Sequence, residues 1–248
     1  QDIRGFYDEH YTHAGALTAA AGDIDSAQLD GFAERTTMAL EGRAVQTIPT
    51  FSMKTHPGIE VLVVDKPGRT QVPVLIGSPT IDVNHPDYLP LVVGNTIFGG
   101  TFTSRLSQEI REKRGWSYGA YSSIIADKHF GTFVMSFSPA VKDTLPAIEL
   151  AVDMLYTFLR DGVTTDELDF YKNYLINSHV FSIDTSVRRL RELISMQVND
   201  RPPDALETFP QRVAELQVED INRAIAKHLG RDNLTLVAVA TADDLYQD

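Results

Sequence analysis

The 248-residue sequence contains no cysteine, which excludes disulfides, thiol catalysis and thiolate metal sites in this chain. It also contains neither HxxEH nor HExxH, the motifs that supply the histidine ligands and general base of many zinc hydrolases. Basic residues are few: 22 Lys and Arg stand against 34 Asp and Glu, a formal net charge of −12. That balance argues against nucleic acid or an anionic membrane as the main partner, because both require a basic footprint.

Long hydrophobic runs are also missing, since no apolar stretch approaches the roughly 18 residues of a membrane span. The sequence begins in mid-pattern at Gln1, without a charged segment or signal core, so we expect a piece of a longer chain. With 43% hydrophobic residues, it predicts a soluble protein of one large or two small domains. The bacterial cytoplasm and periplasm both remain open, because cysteine-free proteins occur in each.

The first 57 residues predict two helices, one strand and a linker. Apolar residues recur at helical spacing over residues 2–14, and an apolar run over 16–21 predicts a strand. Ser26 can cap a second helix that ends near Gly42. Residues 43–57 lack periodicity and hold two prolines, which predicts the linker.

Two hairpins and a final strand are predicted downstream. β-Branched runs at 59–64 and 72–78 flank a Pro-Gly turn and predict the first hairpin. Residues 116–125 and 129–138 predict the second, and 233–241 predict the last strand.

Helical spacing of apolar residues predicts six further helices, at 86–97, 103–114, 142–160, 165–199, 203–216 and 219–229. In the second of these, Leu106 and Ile110 should face inward. The third should present Ile148, Val152, Leu155 and Leu159 to the core. The long fourth helix should bend near residues 182–185, where side-chain hydrogen bonds compete with the helix. Because hairpins and helices are segregated, the predicted class is α+β.

An internal repeat relates the two ends of the chain. A constant shift places Asp2-Ile3 on Asp220-Ile221, and the other matched residues are His10 with His228, Ala20 with Ala238 and Asp25 with Asp243. Predicted helix falls on predicted helix and predicted strand on predicted strand. Chance similarity of helix-loop-strand units is the alternative. If the repeat is real, the chain begins with the tail of a domain built like the one that follows.

The segment 99–122 combines a basic helix, a glycine and a tyrosine-bearing strand. Its charged residues at 105–114 are Arg105, Arg111, Lys113 and Arg114 against Glu109 and Glu112. Glu-Lys pairing on a solvated helix face would account for this pattern. However, Arg111 ends the helix beside inward Ile110, and Tyr118 follows Gly115 at the start of a strand. Both side chains could therefore line one wall of a cleft, where their donors suit peptide carbonyls or a developing oxyanion.

Other candidate residues carry weaker signals. His10 and His13 are three positions apart beside Glu9, but a third metal ligand is not evident, which favours packing or surface roles. The remaining histidines are treated as isolated and without chemistry: His56, His85, His129, His179 and His228. Gly99-Gly100 lacks the Lys-Ser/Thr of a phosphate loop and predicts a flexible turn between helices. No metal site is therefore predicted on this chain.

Four segments resemble the C-terminal half of the M16 family of zinc metallopeptidases, the group of pitrilysin, insulin-degrading enzyme and mitochondrial processing peptidase. They are VLVVDKPG at 61–68, GGTFTSRL at 99–106, IREKRGWSYGAYS at 110–122 and GVTTDEL at 162–168. The third is the most specific. Residues 2–25 are similar to the closing helix and strand of the N-terminal half, in agreement with the repeat.

The resemblance implies a LuxS/MPP-like metallohydrolase fold, α+β, with an antiparallel-rich sheet covered on one side by helices. It implies two similar halves around a chamber, the first holding zinc through HxxEH and a distal glutamate. Arg111 and Tyr118 match the arginine and tyrosine of the second half. They should bind the substrate backbone and support the transition state at zinc held by the other half, with no complete catalytic set on this chain.

The implied organisation has three parts: residues 1–42 are the tail of a zinc-bearing domain, 43–57 are a linker, and 58–248 are the inactive peptidase domain. Zinc is expected only in the partner half, on the same polypeptide or a separate subunit, and the other expected partner is a peptide substrate. In this copy the position of the metal motif, residues 87–95, reads DYLPLVVGN without histidine or glutamate. This half should therefore be inert alone.

Two alternatives remain for the function. One is a structural or assembly subunit similar to the core proteins of the cytochrome bc1 complex; presence of Arg111 and Tyr118 at the family spacing favours the peptidase role, because a scaffold does not need them. The other is an independent metalloenzyme that uses His10 and His13, which the missing third ligand disfavours.

Overall fold

A computed structural model describes residues 2–12, 16–40, 53 and 55–241. Contacts divide the chain into two compact units, one formed by Gln1–Ser52 with His179–Val198 and the other by Met53–Ser178 with Asn199–Asp248. The smaller unit contains α1 (Asp2–His10), α2 (Ser26–Ala39) and α7 (Ser186–Val198). The larger unit contains the β-sheet and, apart from the helical residues 179–182, the other helices.

The helices of the larger unit largely follow the apolar patterns of the sequence. They are α3 (Tyr88–Asn95), the short α4 (Arg105–Ser107), α5 (Thr144–Asp161), α6 (Thr165–Ser182), α8 (Phe209–Glu215) and α9 (Val218–His228). The predicted bend is confirmed, because residues 183–185 interrupt the helix between α6 and α7. None of the helices among the described residues combines the length and apolar character required to cross a bilayer.

Within the described part of the chain, five strands form one sheet in the order β1-β5-β2-β4-β3. The strands are β1 (Gly58–Asp65), β2 (Val74–Thr80), β3 (Ala120–Ala126), β4 (Gly131–Phe137) and β5 (Asn233–Ala240). Strand β1 is parallel to β5, and the other neighbouring pairs are antiparallel. The predicted hairpin at 116–125 and 129–138 is confirmed as β3–β4, with Ala126 opposite Gly131.

The first predicted hairpin is wrong, because β5 lies between β1 and β2. The chain after β1 is bound to the end of β5 instead: Lys66 N–H donates to the carbonyl of Ala240 at 2.7 Å, and Gly68 N–H donates to Thr241 Oγ1 at 3.2 Å. The Pro-Gly sequence does form a turn, with φ of +76° at Gly68. A turn sequence fixes the local chain direction but not the neighbouring strand, which here comes from the far end of the chain.

One face of the sheet forms the core. Across β2, β4 and β3, Val74 stands opposite Phe137, which stands opposite Ala120, and all three are buried. On the other face, Leu75 and Ile125 are 47% and 65% exposed. The sheet is therefore covered by helices on one side, as expected for the α+β class.

The buried stripe of helix α5 differs from the predicted one. Leu155 is buried as expected, but the other buried positions are Thr144, Ala147, Ala151 and Phe158. The larger predicted residues Ile148, Val152 and Leu159 lie at the margin of the core. The alanines permit close approach, and Phe158 stacks on Phe98 with ring centroids 4.9 Å apart.

The smaller unit corrects two predictions. The cap of α2 is Asp25, not Ser26, since the Asp25 carboxylate accepts the Gln28 N–H at 2.8 Å and Gln28 accepts the Asp25 N–H at 3.0 Å. Residues 16–21 are not a strand, because no described strand pairs with them and an extended segment needs such a neighbour to satisfy its backbone. Of the predicted linker, residues 43–52 and 54 lie outside the described residues, as does Gly42.

Candidate functional site

The Gly99-Gly100 segment is tightly packed and is not the flexible turn that the sequence suggests. Helix α3 continues into a π-helical turn, Thr96–Gly100. A Cβ atom on Gly99 would lie 2.3 Å from Ser122 Oγ and 2.6 Å from the Ser122 nitrogen. Glycine is therefore required here because the turn approaches strand β3 too closely for any side chain.

A buried polar pair fixes the same turn to the sheet. Ser122 Oγ donates to Asn95 Oδ1 at 2.6 Å, and Asn95 Nδ2 donates to the Ser122 carbonyl at 3.2 Å. Both residues are buried, so each satisfies the other in a region that water does not reach. The loop that follows, residues 101–104, thus starts from a fixed point on β3.

Arg111 lies in a second π-helical turn, Gln108–Lys113, which continues α4. Leu106 and Ile110 are fully buried, as predicted, and orient this segment. Gly115 ends it with a φ of +63° and donates its N–H to the Arg111 carbonyl at 3.0 Å. π-Helical turns occur frequently at functional sites, and here one shapes each side of the loop at 101–104.

The guanidinium of Arg111 lies between two aromatic rings. Its Cζ is 3.9 Å from the centroid of Phe102 and 5.6 Å from the centroid of Tyr118, and it forms an ion pair with Glu112. The sequence-predicted pair is thus brought together, and Phe102 is a third member that sequence reasoning missed. An aromatic residue two positions after a glycine pair was the available signal, and its side chain is 50% exposed in the structure.

Tyr118 precedes strand β3 rather than starting it, and its side chain is 90% exposed. The backbone on either side is fixed by Ser117, whose Oγ donates to the Gly119 carbonyl at 2.7 Å and accepts the Ser138 N–H at 2.9 Å. A rigid backbone therefore presents the phenol to the exterior, where its hydroxyl can bind a ligand.

The basic residues around Arg111 are largely neutralised by neighbours. Glu109 pairs with both Lys113 and Arg114, and these hydrogen bonds lower the pKa of its carboxyl. Glu-Lys pairing, which was the alternative to a binding role, thus accounts for part of the pattern of charged residues at 105–114. Arg114 also lies near a ring, with its Cζ 5.3 Å from the Trp116 centroid, but Arg111 lies against two rings, where cation–π attraction orients it.

A cavity of about 630 Å³ lies beside α4 and α6. Its polar wall contains the Arg105–Glu167 pair, in which Arg105 Nη2 and Glu167 Oε2 are 2.6 Å apart. Arg111 and Tyr118 are not among its lining residues, so this cavity is not the wall that they form.

At the position of the family metal motif, residues 87–95, Asp87 is the one carboxylate or histidine, and helix α3, which follows it, does not fit a zinc ion. Leu91 and Val93 are fully buried in the core, and a Cβ on Gly94 would lie 2.7 Å from Ile225 Cγ2. Asn95 is committed to Ser122. From residue 89 to residue 95, apolar side chains and a paired amide leave neither ligands nor space for the ion.

The structure corrects the interpretation of His85 and His228 as isolated. Together with Asp87 they form a cluster whose potential ligand atoms lie within 4.8 Å of one another. The Asp87 carboxyl has a lowered pKa, chiefly because of its hydrogen bond with His228. By contrast, His10 packs on Phe6, with ring centroids 4.4 Å apart, and His13 lies outside the described residues.

Comparison with known proteins identifies the family. The model of the peptidase M16 inactive domain matches residues 1–175. The chain belongs to the M16 family. This M16 inactive domain is 26% identical over 231 residues to an uncharacterized zinc protease of Mycobacterium bovis, covering 92% of this chain and 52% of that protein. The chain thus spans about half the length of the curated relatives that it matches, and the predicted resemblance is confirmed.

Solved structures agree with this assignment. The M16 inactive domain from Pseudomonas fluorescens superposes with a TM-score of 0.81 at 27% identity, over 96% of this chain and 57% of that one. A chain of complex III2 from Candida albicans gives a TM-score of 0.67 at 12% identity, over 91% of this chain and 55% of that one. The second similarity shows the fold alone. The predicted fold class is therefore confirmed.

Proposed function

We propose that this M16 inactive domain contributes Arg111 and Tyr118 to peptide cleavage at zinc held by a separate, HxxEH-bearing M16 half. The observation that carries the proposal is the position of the Arg111 guanidinium, 3.9 Å from the Phe102 centroid and 5.6 Å from the Tyr118 centroid. Two hydrogen-bond donors of different geometry are thereby held side by side at an outward-facing surface.

The arrangement suits contacts with a peptide carbonyl. The guanidinium has a planar fork of donors, and the neighbouring rings restrict the directions in which it can point. Tyr118 adds one hydroxyl at the same place. Donors that are oriented before the substrate arrives stabilise a developing oxyanion more effectively than mobile ones, because little reorganisation is needed during reaction.

The division of labour follows from what the M16 inactive domain lacks. The position of the metal motif holds buried Leu91 and Val93 instead of ligands, so the catalytic zinc is assigned to the other half. We assign residues 1–42 to the tail of that half, 43–57 to a linker and 58–248 to the inactive domain. The division into contact units supports a boundary near residue 52, although it groups residues 179–198 of the assigned inactive domain with residues 1–52. The HxxEH half can lie on the same polypeptide or on another chain.

The test is reconstitution of peptide cleavage from this chain and a zinc-bearing M16 half. Arg111→Ala should lower kcat/KM by about 10- to 1000-fold, the range for loss of a transition-state donor. Tyr118→Phe should also lower kcat/KM, because it removes the hydroxyl donor while it keeps the ring. Melting temperature, measured in parallel, should change little for Tyr118→Phe because the side chain is exposed.

A matched control exists in the same unit. The Arg231 Cζ lies 5.6 Å from the Tyr156 centroid, the same separation as in the Arg111–Tyr118 pair. Arg231→Ala should leave cleavage unchanged. Equal losses in Arg231→Ala and Arg111→Ala, or unchanged cleavage in Arg111→Ala, would contradict the proposed role.

A structural or assembly subunit is the second candidate function, favoured by the fold shared with the chain of complex III2. In that case Arg111 serves to hold the Phe102 loop, and its replacement should lower stability without a specific kinetic effect. A change in Tm with unchanged cleavage by the reconstituted enzyme would support this candidate.

A further inference from the structure

Three potential metal ligands from two separate segments meet beside helices α3 and α9. His85 and Asp87 precede α3, and His228 is the last residue of α9, 141 positions after Asp87. The His228 Nε2 and Asp87 Oδ2 are 2.7 Å apart, and the His85 Nδ1 is 4.0 Å from the same oxygen. The sidechains are largely buried, with 9% exposed for His228, 15% for Asp87 and 29% for His85.

The backbone at this cluster is held in place by contacts that do not involve the three side chains. Gly94 of α3 packs directly against α9, since a Cβ there would lie 2.7 Å from Ile225 Cγ2 and 3.1 Å from Ile221 Cγ2. The His228 carbonyl accepts the Thr80 hydroxyl at 2.9 Å. Because core packing fixes both segments, the ligands are already close before any ion binds, and binding requires little ordering of the chain.

The distances fit a small divalent ion. Metal–ligand bonds of about 2.0–2.2 Å in a tetrahedral zinc site place neighbouring ligand atoms about 3.3 Å apart. The two measured separations, 2.7 Å and 4.0 Å, lie on either side of that value. Small side-chain rotations would therefore bring the three atoms to coordinating distance, while the neighbouring backbone stays where it is. His85 Nδ1, which accepts the Asp87 N–H at 3.0 Å, gives up that hydrogen bond when it binds the ion.

We propose that His85, Asp87 and His228 form a binding site for one divalent transition-metal ion such as Zn²⁺, which joins the segment before α3 to the end of α9. Two imidazoles and one carboxylate are a ligand set that Zn²⁺ accepts, with a water in the fourth position. The carboxylate also offsets part of the charge of the ion.

Other charged groups around the site modify its affinity. The Lys227 ammonium is 3.6 Å from Asp87 Oδ2, and its side chain is 62% exposed. This cation must move away when a metal ion binds, which its exposed stem permits at the cost of one weak ion pair. Asp220, which lies on α9 like Lys227 and pairs with Arg223, is a second negative charge that interacts electrostatically with Asp87. Lys227 thus weakens metal binding, so removal of its charge should raise the affinity of the site for the ion.

The cluster lies at the other end of β2 from Tyr118. Thr80, which contacts His228, is the last residue of β2 and pairs with Gly131. Val74 is the first residue of β2 and pairs with Phe137, which in turn pairs with Ala120 near Tyr118. Six residue steps of about 3.3 Å separate these ends by about 20 Å. The metal site is therefore a separate feature of the fold and does not depend on the proposed role of Arg111.

The test is titration of the chelator-stripped chain with Zn²⁺, without any partner half. Isothermal titration should give one equivalent per chain. At a free Zn²⁺ concentration of about 100 times Kd, Tm should rise by about 5–10 °C and return on addition of EDTA. His85→Ala and His228→Gln should each weaken binding about 100-fold or more, because each removes a direct ligand. Lys227→Met should tighten it by about 5-fold, the effect of removing one nearby charge in water.

Two controls test binding at other histidines. His129→Ala removes a histidine in the β3–β4 turn, and the double variant His10→Ala/His13→Ala removes the pair suggested by sequence spacing. Both should bind Zn²⁺ like the unmodified chain. Absence of stoichiometric binding, or binding lost in a control and kept in His85→Ala, would overturn the proposal. Because His85 is the least buried ligand, its variant remains informative if His228→Gln fails to fold.

Discussion

The guanidinium carbon of Arg111 lies 3.9 Å from the centroid of the Phe102 ring. The two residues come from opposite sides of one loop, since Phe102 follows the π-helical turn that ends at Gly100 and Arg111 belongs to the next. Phe102 thus forms a platform for the side chain to which we assign substrate binding. The contribution of Phe102 can be separated from that of Arg111, because the Phe102 side chain carries no hydrogen-bond donor.

Phe102→Ala should lower cleavage by the reconstituted enzyme about 2- to 5-fold. The basis is loss of one cation–π contact, worth about 0.5–1 kcal/mol at an exposed site, which leaves the Arg111 donors present but less oriented. Measurement of kcat/KM alongside Arg111→Ala should show the smaller effect for Phe102→Ala. Phe130→Ala, in the turn between β3 and β4, is the control and should be neutral. A loss for Phe102→Ala as large as that for Arg111→Ala would contradict the platform role.

The sequence predicts local features of this fold well because those features depend on short-range patterns. The β3–β4 hairpin, the break between α6 and α7, and the glycine stop at Gly115 all follow from neighbouring residues. Arg111 and Tyr118 belong to the same category, because a few residues and one turn bring them together.

Features that depend on distant residues could not be predicted in this way. Strand β5 enters between β1 and β2 from the far end of the chain, and no turn sequence encodes that insertion. His228 reaches Asp87 because α9 packs on α3, so the two histidines of the cluster look isolated in the sequence. Helix α5 likewise buries Ala147 and Ala151 rather than Ile148 and Val152, which reflects the packing of its neighbours rather than hydrophobicity alone.

Gly99→Ala should destabilise the protein by about 1–3 kcal/mol, the usual cost of forcing an extra methyl group into packed structure. The new Cβ would lie 2.3 Å from Ser122 Oγ and 2.6 Å from the Ser122 nitrogen, and the backbone atom cannot rotate away. Gly100→Ala is the matched control, since the nearest atom to its Cβ is the Asn95 carbonyl oxygen at 3.3 Å. Urea unfolding should give a clearly lower midpoint for Gly99→Ala than for Gly100→Ala; equal midpoints would contradict this account.

Asn95→Ala should also destabilise, by about 1–3 kcal/mol, because it leaves the buried Ser122 hydroxyl and carbonyl without their partner. The Asn95→Ala/Ser122→Ala double variant should recover part of this loss, since the orphaned hydroxyl is then absent. A double-mutant cycle from urea unfolding measures the coupling between the two side chains. Purely additive effects would show that the pair does not act as a unit.

The Arg105–Glu167 pair should make stability depend on acid pH. Partial burial raises the pKa of the Glu167 carboxyl, but hydrogen bonds from Arg105 and Thr164 outweigh that effect, so the pKa is lower than its ordinary value of 4.5. A carboxyl with a lowered pKa stabilises the folded state fully at pH above its unfolded pKa. This contribution is lost as the pH falls from about 4.5 through the lower pKa of the folded state.

Glu167→Gln should therefore be less stable than the unmodified chain at pH 7, and the difference in unfolding free energy should shrink at pH below 4.5, the ordinary value for this carboxyl. At low pH the protonated glutamic acid resembles glutamine, so the two proteins converge. Asp161→Asn provides the control: its pair with Arg160 is 73% and 53% exposed and should contribute far less. A difference that stays constant between pH 7 and pH 3 would show that Glu167 acts by packing and hydrogen bonding rather than by its charge.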